Sequence, residues 1–121
     1  MIIFGAAVIG EATLLACREK NIPVECFIDN RIRGHLLGVE IRPLDGAKLT
    51  GPFLLTSPNI ADMILPLQRM GYTDWASCGE VLHDFDLSSI EFQSINGSNQ
   101  SSRYSTEHVK YLIRTCLHHH D

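Results

Sequence analysis

The sequence predicts an α/β fold, with a mostly parallel sheet whose two faces are covered by helices. Short apolar runs rich in β-branched and aromatic residues alternate along the chain with longer segments of helical periodicity. A glycine-rich turn also stands where the first apolar run gives way to the first helical segment. Parallel strands need a crossover between them, which a helix supplies, so this alternation favours parallel pairing.

The first predicted strand–helix–strand unit occupies the first 30 residues. Residues 1–6 form a short apolar run that favours a buried strand, and the segment from Gly5 to Gly10 ends it. Residues 11–20 then predict a helix, which Asn21 and Pro23 terminate. Residues 24–28 predict the second strand, closed by Asp29 and Asn30.

The middle of the chain predicts three further strands and one helix. The strands are expected at residues 39–41, 53–56 and 75–77. Ser57 can cap the helix between the last two, and Pro58 suits its first turn. Pro66 falls inside this helical pattern and predicts a kink or a restart. The inward stripe of the helix consists of Ile60, Met63, Ile64, Leu67 and Met70.

The chain divides into a domain at residues 1–92, a polar Ser- and Asn-rich linker at 93–105, and an amphipathic helix at 106–121. The apolar stripe of that last helix either docks on its own domain, which we prefer, or forms a homodimer or pairs with a partner domain. We expect no metal site at Cys116 and the following histidines, because adjacent helical residues do not face one site; an added tail is the preferred interpretation.

Composition excludes several function classes. Of the 121 residues, 45% are hydrophobic and 20% are charged, which excludes a disordered chain. The net charge of −4 argues against a nucleic-acid partner. No apolar run of about 18 residues is present, so we expect no membrane-spanning helix. The four scattered cysteines and the lack of a basic amino-terminal segment predict a cytoplasmic protein with reduced, buried thiols.

The turn between the first strand and the first helix carries the chemistry. Gly5 and Gly10 match the first and third glycines of G-x-G-x-x-G, with Ala7 in the second place. In this motif the first glycine permits a tight turn, the second lets backbone N–H groups approach a pyrophosphate, and the third lets helix and strand pack closely. Asp29 follows Gly10 by 19 residues, at the strand end where a carboxylate meets ribose hydroxyls. The alternative is a tight turn without a ligand.

The first 80 residues resemble the Rossmann-like nucleotide-binding domains that open bacterial surface-polysaccharide and nucleotide-sugar enzymes, including sugar O-acyltransferases of the sialic-acid type. The resemblance is carried by IIFGAAVIGEATLLACREKNIPVECFIDN, by Leu37-Gly38-Val39-Glu40-Ile41 and by PFLLTSPNIADMILPLQRMGY. It implies a three-layer αβα domain that binds NAD(P) or a UDP-sugar. The candidate binding residues are those that the resemblance implies and the neighbouring Arg31. They are Gly5, Ala6, Ala7, Val8, Ile9, Gly10, Asp29, Asn30, Arg31, Thr56, Ser57 and Asn59.

Three functions are compatible with these patterns. The first is a nucleotide-binding module of sugar or polysaccharide metabolism, with chemistry supplied by another domain or protein. The second is a stand-alone NAD(P)-dependent oxidoreductase, although we find no motif that supplies a catalytic acid or base and expect no catalysis by this chain alone. The third is an interaction or regulatory domain with an empty site. Arg31 and Arg33 either clamp a 2′-phosphate or diphosphate or belong to a solvated loop.

Overall fold

The computed structural model describes residues 1–45, 49–56 and 60–86, together with Tyr111 and Arg114, which have helical backbone. The described part has an α/β fold, as the sequence predicts. Its elements in chain order are β1 (Ile2–Phe4), α1 (Val8–Glu19), β2 (Cys26–Ile28), β3 (Gly34–Leu36), β4 (Val39–Arg42), β5 (Phe53–Leu55), α2 (Ile60–Arg69), β6 (Trp75–Ser77) and α3 (Gly79–Leu82).

Six strands form one mostly parallel sheet in the order β3-β4-β2-β1-β5-β6. Strand β1 lies between β2 and β5 and is parallel to both. Strand β4 continues the parallel set beyond β2, and β6 continues it beyond β5. Strands β2, β3 and β4 therefore lie on one side of β1, and the later strands β5 and β6 lie on its other side. Among the strands that the structure describes, only β3, at one edge, is antiparallel to its neighbour.

The core is arranged by the alternation of side chains along the strands. In β5, Leu54 belongs to an apolar cluster with Ala12 and Ala16 of α1 and with residues of α3. The adjacent Phe53 and Leu55 belong instead to a cluster with α2, which contributes Leu67. A third cluster joins Leu14 of α1 to the strands on the β4 side of the sheet. Most strands have only three residues, so the burial of their side chains in these clusters, rather than their length, stabilises them.

Helix α1 begins three residues before its predicted start and ends one residue before its predicted end. Lys20 is its C-cap, and Asn21 follows with a left-handed φ of 58°. The Asn21 N–H donates to Arg18 O at 3.2 Å, and the Ile22 N–H donates to Cys17 O at 2.8 Å. These two bonds form the Schellman motif that satisfies the last carbonyl groups of a helix. Asn21 thus terminates α1, as the sequence predicts, and it does so as the left-handed residue of this motif.

Helix α2 runs as one continuous element through Pro66, so the predicted restart does not occur. Proline removes one donor from the helix interior, but the inward stripe still packs: Leu67 is buried, and Met63 and Ile64 contact the same cluster. Burial of that stripe explains why one missing backbone bond does not end the helix.

The sequence patterns do not predict two elements, β3 and α3. β3 forms a hairpin with β4 in which Leu36 pairs with Val39, so the turn consists of Leu37 and Gly38. Both turn residues have positive φ, 50° and 82°, as a two-residue type I′ turn requires. Leucine is rare in that conformation, which is why the sequence gives no hairpin signal here. Helix α3 is a single turn, too short for helical periodicity to show.

The structure does not test the predictions made for the carboxyl-terminal part of the chain. The linker at 93–105 and nearly all of the helix at 106–121, with its histidines, lie outside the described residues. In the described residues, no cluster of three or more His, Cys, Asp or Glu side chains is arranged to bind a metal. None of the helices in that part of the chain has the length and apolarity to cross a lipid bilayer.

Candidate functional site

The candidate site lies at the carboxyl edge of the parallel strands, where β1 stands between β2 and β5. The chain after β1 enters α1, and the chains after β2 and β5 leave the sheet at the same edge. In open parallel sheets, ligands bind outside the carboxyl ends of the strands where the strand order reverses, and here that point is between β1 and β5. The fold thus brings together the turn after Phe4, Asp29 after β2 and Thr56 after β5.

Gly5 and Gly10 are required by packing. Gly5 has a φ of +113°, and a Cβ atom there would overlap with Oγ1 of Thr56. A Cβ atom at Gly10 would overlap with the carbonyl group of Gly5, so this glycine lets α1 approach the turn closely. These are the roles that the motif gives to its first and third glycines. The same contacts would serve a tight turn without a ligand, so the glycines alone do not decide between the two interpretations.

The N-cap residue of α1 contributes no side-chain cap. Ala7 is the N-cap residue, has extended backbone, and offers no side-chain hydrogen bond to the first turn. Its methyl group is exposed and therefore does not fill the turn. The first N–H groups of a helix have no partner within the helix. They carry the positive end of the helix dipole, which favours an anion at this position.

The side chains of the first helical turn are half-buried or buried in the fold. Val8 and Ile9 pack against the cluster shared by α1 and α3, so only their backbone amides are candidates for ligand contact. Ala6 is buried, and so is Glu11, which is fully inaccessible and has an interaction partner. The predicted contacts from residues 5–10 therefore reduce to backbone N–H groups.

Asp29 connects the first turn to the segment after β2. Its Oδ2 atom accepts a hydrogen bond from the Ala6 N–H at 3.0 Å. Its Oδ1 atom accepts bonds from the N–H groups of Arg31 at 2.8 Å and Ile32 at 3.0 Å. The carboxylate thus lies beside the glycine-rich turn, where the sequence predicts it. It is also committed to three backbone donors, which the sequence does not predict.

The residues that follow Asp29 differ in how they are used. Asn30 Oδ1 accepts a bond from the Leu44 N–H at 3.1 Å and so holds the segment after β4. Arg33 Nη1 donates to the carbonyl groups of Asp29 at 2.8 Å and Ile32 at 3.2 Å, so its guanidinium lies against the Asp29 turn. Arg31 is exposed, and its side chain makes no hydrogen bond or ion pair with any described residue.

Thr56 is buried and its hydroxyl donates to Phe4 O at 2.7 Å, which locks the end of β5 to the end of β1. Thr56 therefore lies at the predicted place, but its hydroxyl proton is engaged in the bond to Phe4 O and is not available to a ligand. Ser57 and Asn59, the other two residues predicted from this strand, lie outside the described residues.

The structure adds one neighbour that the sequence patterns do not single out. Ser77, at the end of β6, is buried, and its Oγ atom accepts a bond from the Gly79 N–H at 3.2 Å. This contact turns the chain from β6 into α3 at the same carboxyl edge. A sequence feature that could indicate this contact is a hydroxyl residue at the end of an apolar run, followed two positions later by a glycine.

Comparison with known proteins adds no relative to this description, since no protein-family model, no curated protein and no solved structure matches the chain.

Proposed function

We propose that this chain is a nucleotide-binding module, with a Rossmann-like three-layer αβα arrangement, that holds NAD(P) or a nucleotide-sugar at the turn between β1 and α1. One observation carries the proposal: an uncapped helix terminus and the Asp29 carboxylate meet beside the strand at which the sheet order reverses. A diphosphate needs the first feature and a ribose needs the second.

The arrangement of the clusters supports the layered part of the proposal. In β5, one residue belongs to the cluster of α1 and its two neighbours belong to the cluster of α2. Because successive side chains of a strand point to opposite faces of the sheet, this supports a placement of α1 and α2 on opposite faces. Helices on both faces of a parallel sheet are the arrangement in which a ligand site forms at the strand ends.

The proposal assigns binding to this chain and leaves chemistry to another domain or protein, in sugar or polysaccharide metabolism within the cytoplasm. At the candidate site, the side-chain polar groups of Asp29, Asn30 and Thr56 hold backbone groups together. A site built in this way presents mainly backbone donors to its ligand, which suits the recognition of a phosphate group.

The first test is calorimetric titration of the full chain with NAD, NADP, UDP-glucose and coenzyme A. We expect at least one of them to bind with a Kd below about 1 mM, which corresponds to roughly −4 kcal/mol. If none of the four does so, the proposal is wrong and the interaction domain with an empty site takes its place.

The second test uses Ala7, because its exposed methyl group can be replaced without disturbing the core. Ala7→Asp supplies the missing N-cap, so we expect the free energy of unfolding to rise by about 1 kcal/mol. The same carboxylate would occupy the N–H groups that hold the phosphate and would repel it, so ligand affinity should fall at least tenfold.

Ala7→Ser is the matched control, since it adds a cap without a charge. We expect a similar gain in stability with a smaller loss of affinity. Denaturant unfolding and titration of the same samples give both quantities. Affinity unchanged in Ala7→Asp would show that the ligand binds elsewhere.

A further inference from the structure

We infer that the amphipathic segment at residues 106–121 packs as a helix on the outer side of α1, over Glu11. The outer side is the side that carries Val8, Glu11, Leu15 and Arg18, which are three or four residues apart along α1. The inference is independent of the proposed nucleotide binding. It comes from the burial along this side of α1 and from two exposed residues within the segment itself.

The outer side of α1 points away from the sheet. Cys17 belongs to the cluster that contains Leu54 of β5, so it faces the sheet. Leu15 precedes Cys17 by two residues and therefore points in nearly the opposite direction, since a helix has about 3.6 residues per turn. Arg18, further along the outer side, is exposed, as a side chain that faces solvent should be.

The amino-terminal part of the outer side is covered, however. Glu11 is fully inaccessible, although Arg18 lies only two helical turns further along the same side. Val8 and Leu15 are half-buried. Buried carboxylates are paired in proteins, and Glu11 has an interaction partner. Some part of the chain therefore lies over Glu11 and shields it from water.

The clusters place the neighbouring described elements along the flanks of α1. Helix α3 packs with Ala12 and Ala16, which lie roughly a quarter of a turn or more from Glu11. On the other flank, Leu14 packs with Leu36 of β3. These contacts hold α1 to the rest of the fold and leave its outer side to another segment.

The chain leaves the described part beside α1. Phe85 packs against the cluster of α1 and α3, and Asp84 Oδ1 accepts a hydrogen bond from Lys20 Nζ at 2.7 Å, at the end of α1. Residues 87–121 follow directly after Asp86. The chain therefore continues from a point that is already next to α1.

The shorter segments outside the described residues are joined to α2 instead. Leu44 and Leu49, which stand on either side of residues 46–48, belong to the cluster of α2. Residues 57–59 come directly before α2. Residues 87–121 are therefore the part of the chain best placed to cover the outer side of α1.

The segment at 106–121 matches the outer side in its apolar stripe and in its charge. Tyr111 and Arg114 have helical backbone and are exposed, Tyr111 to 63%. Residues 96–121 carry three basic and two acidic groups, against seven and twelve in residues 1–95, which favours contact with a carboxylate. Both exposed residues lie opposite the stripe, as packing through it requires; the stripe consists of Val109, Leu112, Ile113, Cys116 and Leu117.

The experiment measures how fast N-ethylmaleimide labels a thiol introduced on each longer helix of the full chain, with mass spectrometry of the peptides. Leu15→Cys places the thiol on the outer side of α1, under the proposed contact. Leu65→Cys places it on α2, at a side chain that is 52% exposed. We expect the thiol of Leu15→Cys to react at least about tenfold more slowly than that of Leu65→Cys.

Adding Leu112→Asp, in the apolar stripe, should release the helix, because a carboxylate cannot pack against the apolar side chains of α1. We expect the labelling rate in Leu15→Cys to rise by about tenfold and the rate in Leu65→Cys to stay unchanged. Arg114→Ala changes an exposed residue of the same segment and is the control, which should alter neither rate.

The native thiols of Cys17 and Cys78 separate release of the helix from unfolding, since both are buried in the cluster of α1 and α3. They should remain unlabelled in Leu112→Asp. If they react, the chain has unfolded, and the milder Leu112→Ala takes the place of Leu112→Asp with the same expected pattern.

Three results would overturn the inference. One is labelling of Leu15→Cys as fast as that of Leu65→Cys, or at a rate that the stripe variants leave unchanged. Another is faster labelling of Leu65→Cys alone on release, which would place the helix on α2. The third comes from analytical ultracentrifugation: a dimer that Leu112→Asp converts to a monomer would show that the helix over Glu11 belongs to a second copy.

Discussion

At the scale of single residues, Asp29 organises the site before any ligand arrives. Its two oxygens join the turn after β1 to the segment after β2 through three backbone N–H groups. Buried or half-buried backbone donors that lose their acceptor cost free energy, and acceptors that carry a charge form the stronger bonds. The residue that the sequence assigns to the ligand is therefore also a structural residue.

This double role predicts a loss of stability on substitution. Asp29→Ala removes the acceptor of three N–H groups, and we expect the free energy of unfolding to fall by about 2–3 kcal/mol. Asp29→Asn keeps a single acceptor oxygen and should lose about half as much. Urea denaturation measures both changes.

The control for this prediction is Asp74→Ala. Asp74 is exposed, and its side chain makes no hydrogen bond or ion pair with a described residue, so the change should stay within about 0.5 kcal/mol. Equal stability of Asp29→Ala and the unmodified chain would contradict the structural role of the carboxylate.

At the scale of the elements, both longer helices end in the same motif with different residues. Asn21 occupies the left-handed position after α1, and Gly71, with a φ of 86°, occupies it after α2. The Tyr72 N–H donates to Leu67 O at 3.0 Å, and the Gly71 N–H donates to Gln68 O at 3.0 Å, as in the Schellman motif of α1. Glycine adopts this conformation more readily than asparagine or any other residue with a side chain.

Substitutions at these two positions should therefore act in opposite directions. Asn21→Gly should raise the free energy of unfolding by about 0.5 kcal/mol, because it relieves the left-handed strain. Gly71→Ala should lower it by about 1 kcal/mol, and since a Cβ atom there meets no other atom, the loss would report backbone strain alone. Thermal unfolding of the two variants measures both, and a gain in Gly71→Ala would refute the assignment.

The elements also show where sequence patterns succeed and where they do not. Strands β1, β2 and β5 are predicted from apolar runs, since strands buried on both faces consist almost wholly of apolar residues. The β3 strand is not, because its residues Gly34 and His35 are exposed and its turn uses a leucine with positive φ. At the site, the motif spacing predicts the place of Asp29. Its bond to Ala6 depends on the pairing of β1 with β2, which no local pattern contains.

At the scale of the whole molecule, buried thiols are present in the clusters of α1 and of α2. Cys17 and Cys78 belong to the cluster of α1 and α3, whereas Cys26 belongs to the cluster of α2. All three are buried and none is in a disulfide, which confirms the prediction of reduced, buried thiols for these residues. They therefore report on the opening of two separate parts of the core.

The thiols should be unreactive in the folded chain for two reasons. Burial excludes the reagent, and burial also raises the pKa of Cys17 and of Cys26 above the ordinary value of a thiol. Since the thiolate is the reactive form, a raised pKa lowers the fraction that can react near neutral pH. The positive charges of the chain's amino terminus and of Lys20 near Cys17, and of Arg42 near Cys26, oppose this rise in pKa but do not reverse it.

We therefore expect iodoacetamide at pH 8 to leave Cys17, Cys26 and Cys78 unmodified in the native chain and to alkylate all three in denaturant, as mass spectrometry of the peptides would show. If the clusters of α1 and α2 open together, the three thiols should be alkylated at one common rate in low denaturant, because each becomes accessible only on global unfolding. Earlier labelling of Cys78 alone would show instead that α3 and the β6 edge open locally. Native-state labelling of Cys17 or Cys26 at the rate of glutathione would contradict the burial on which both the core and the site above it depend.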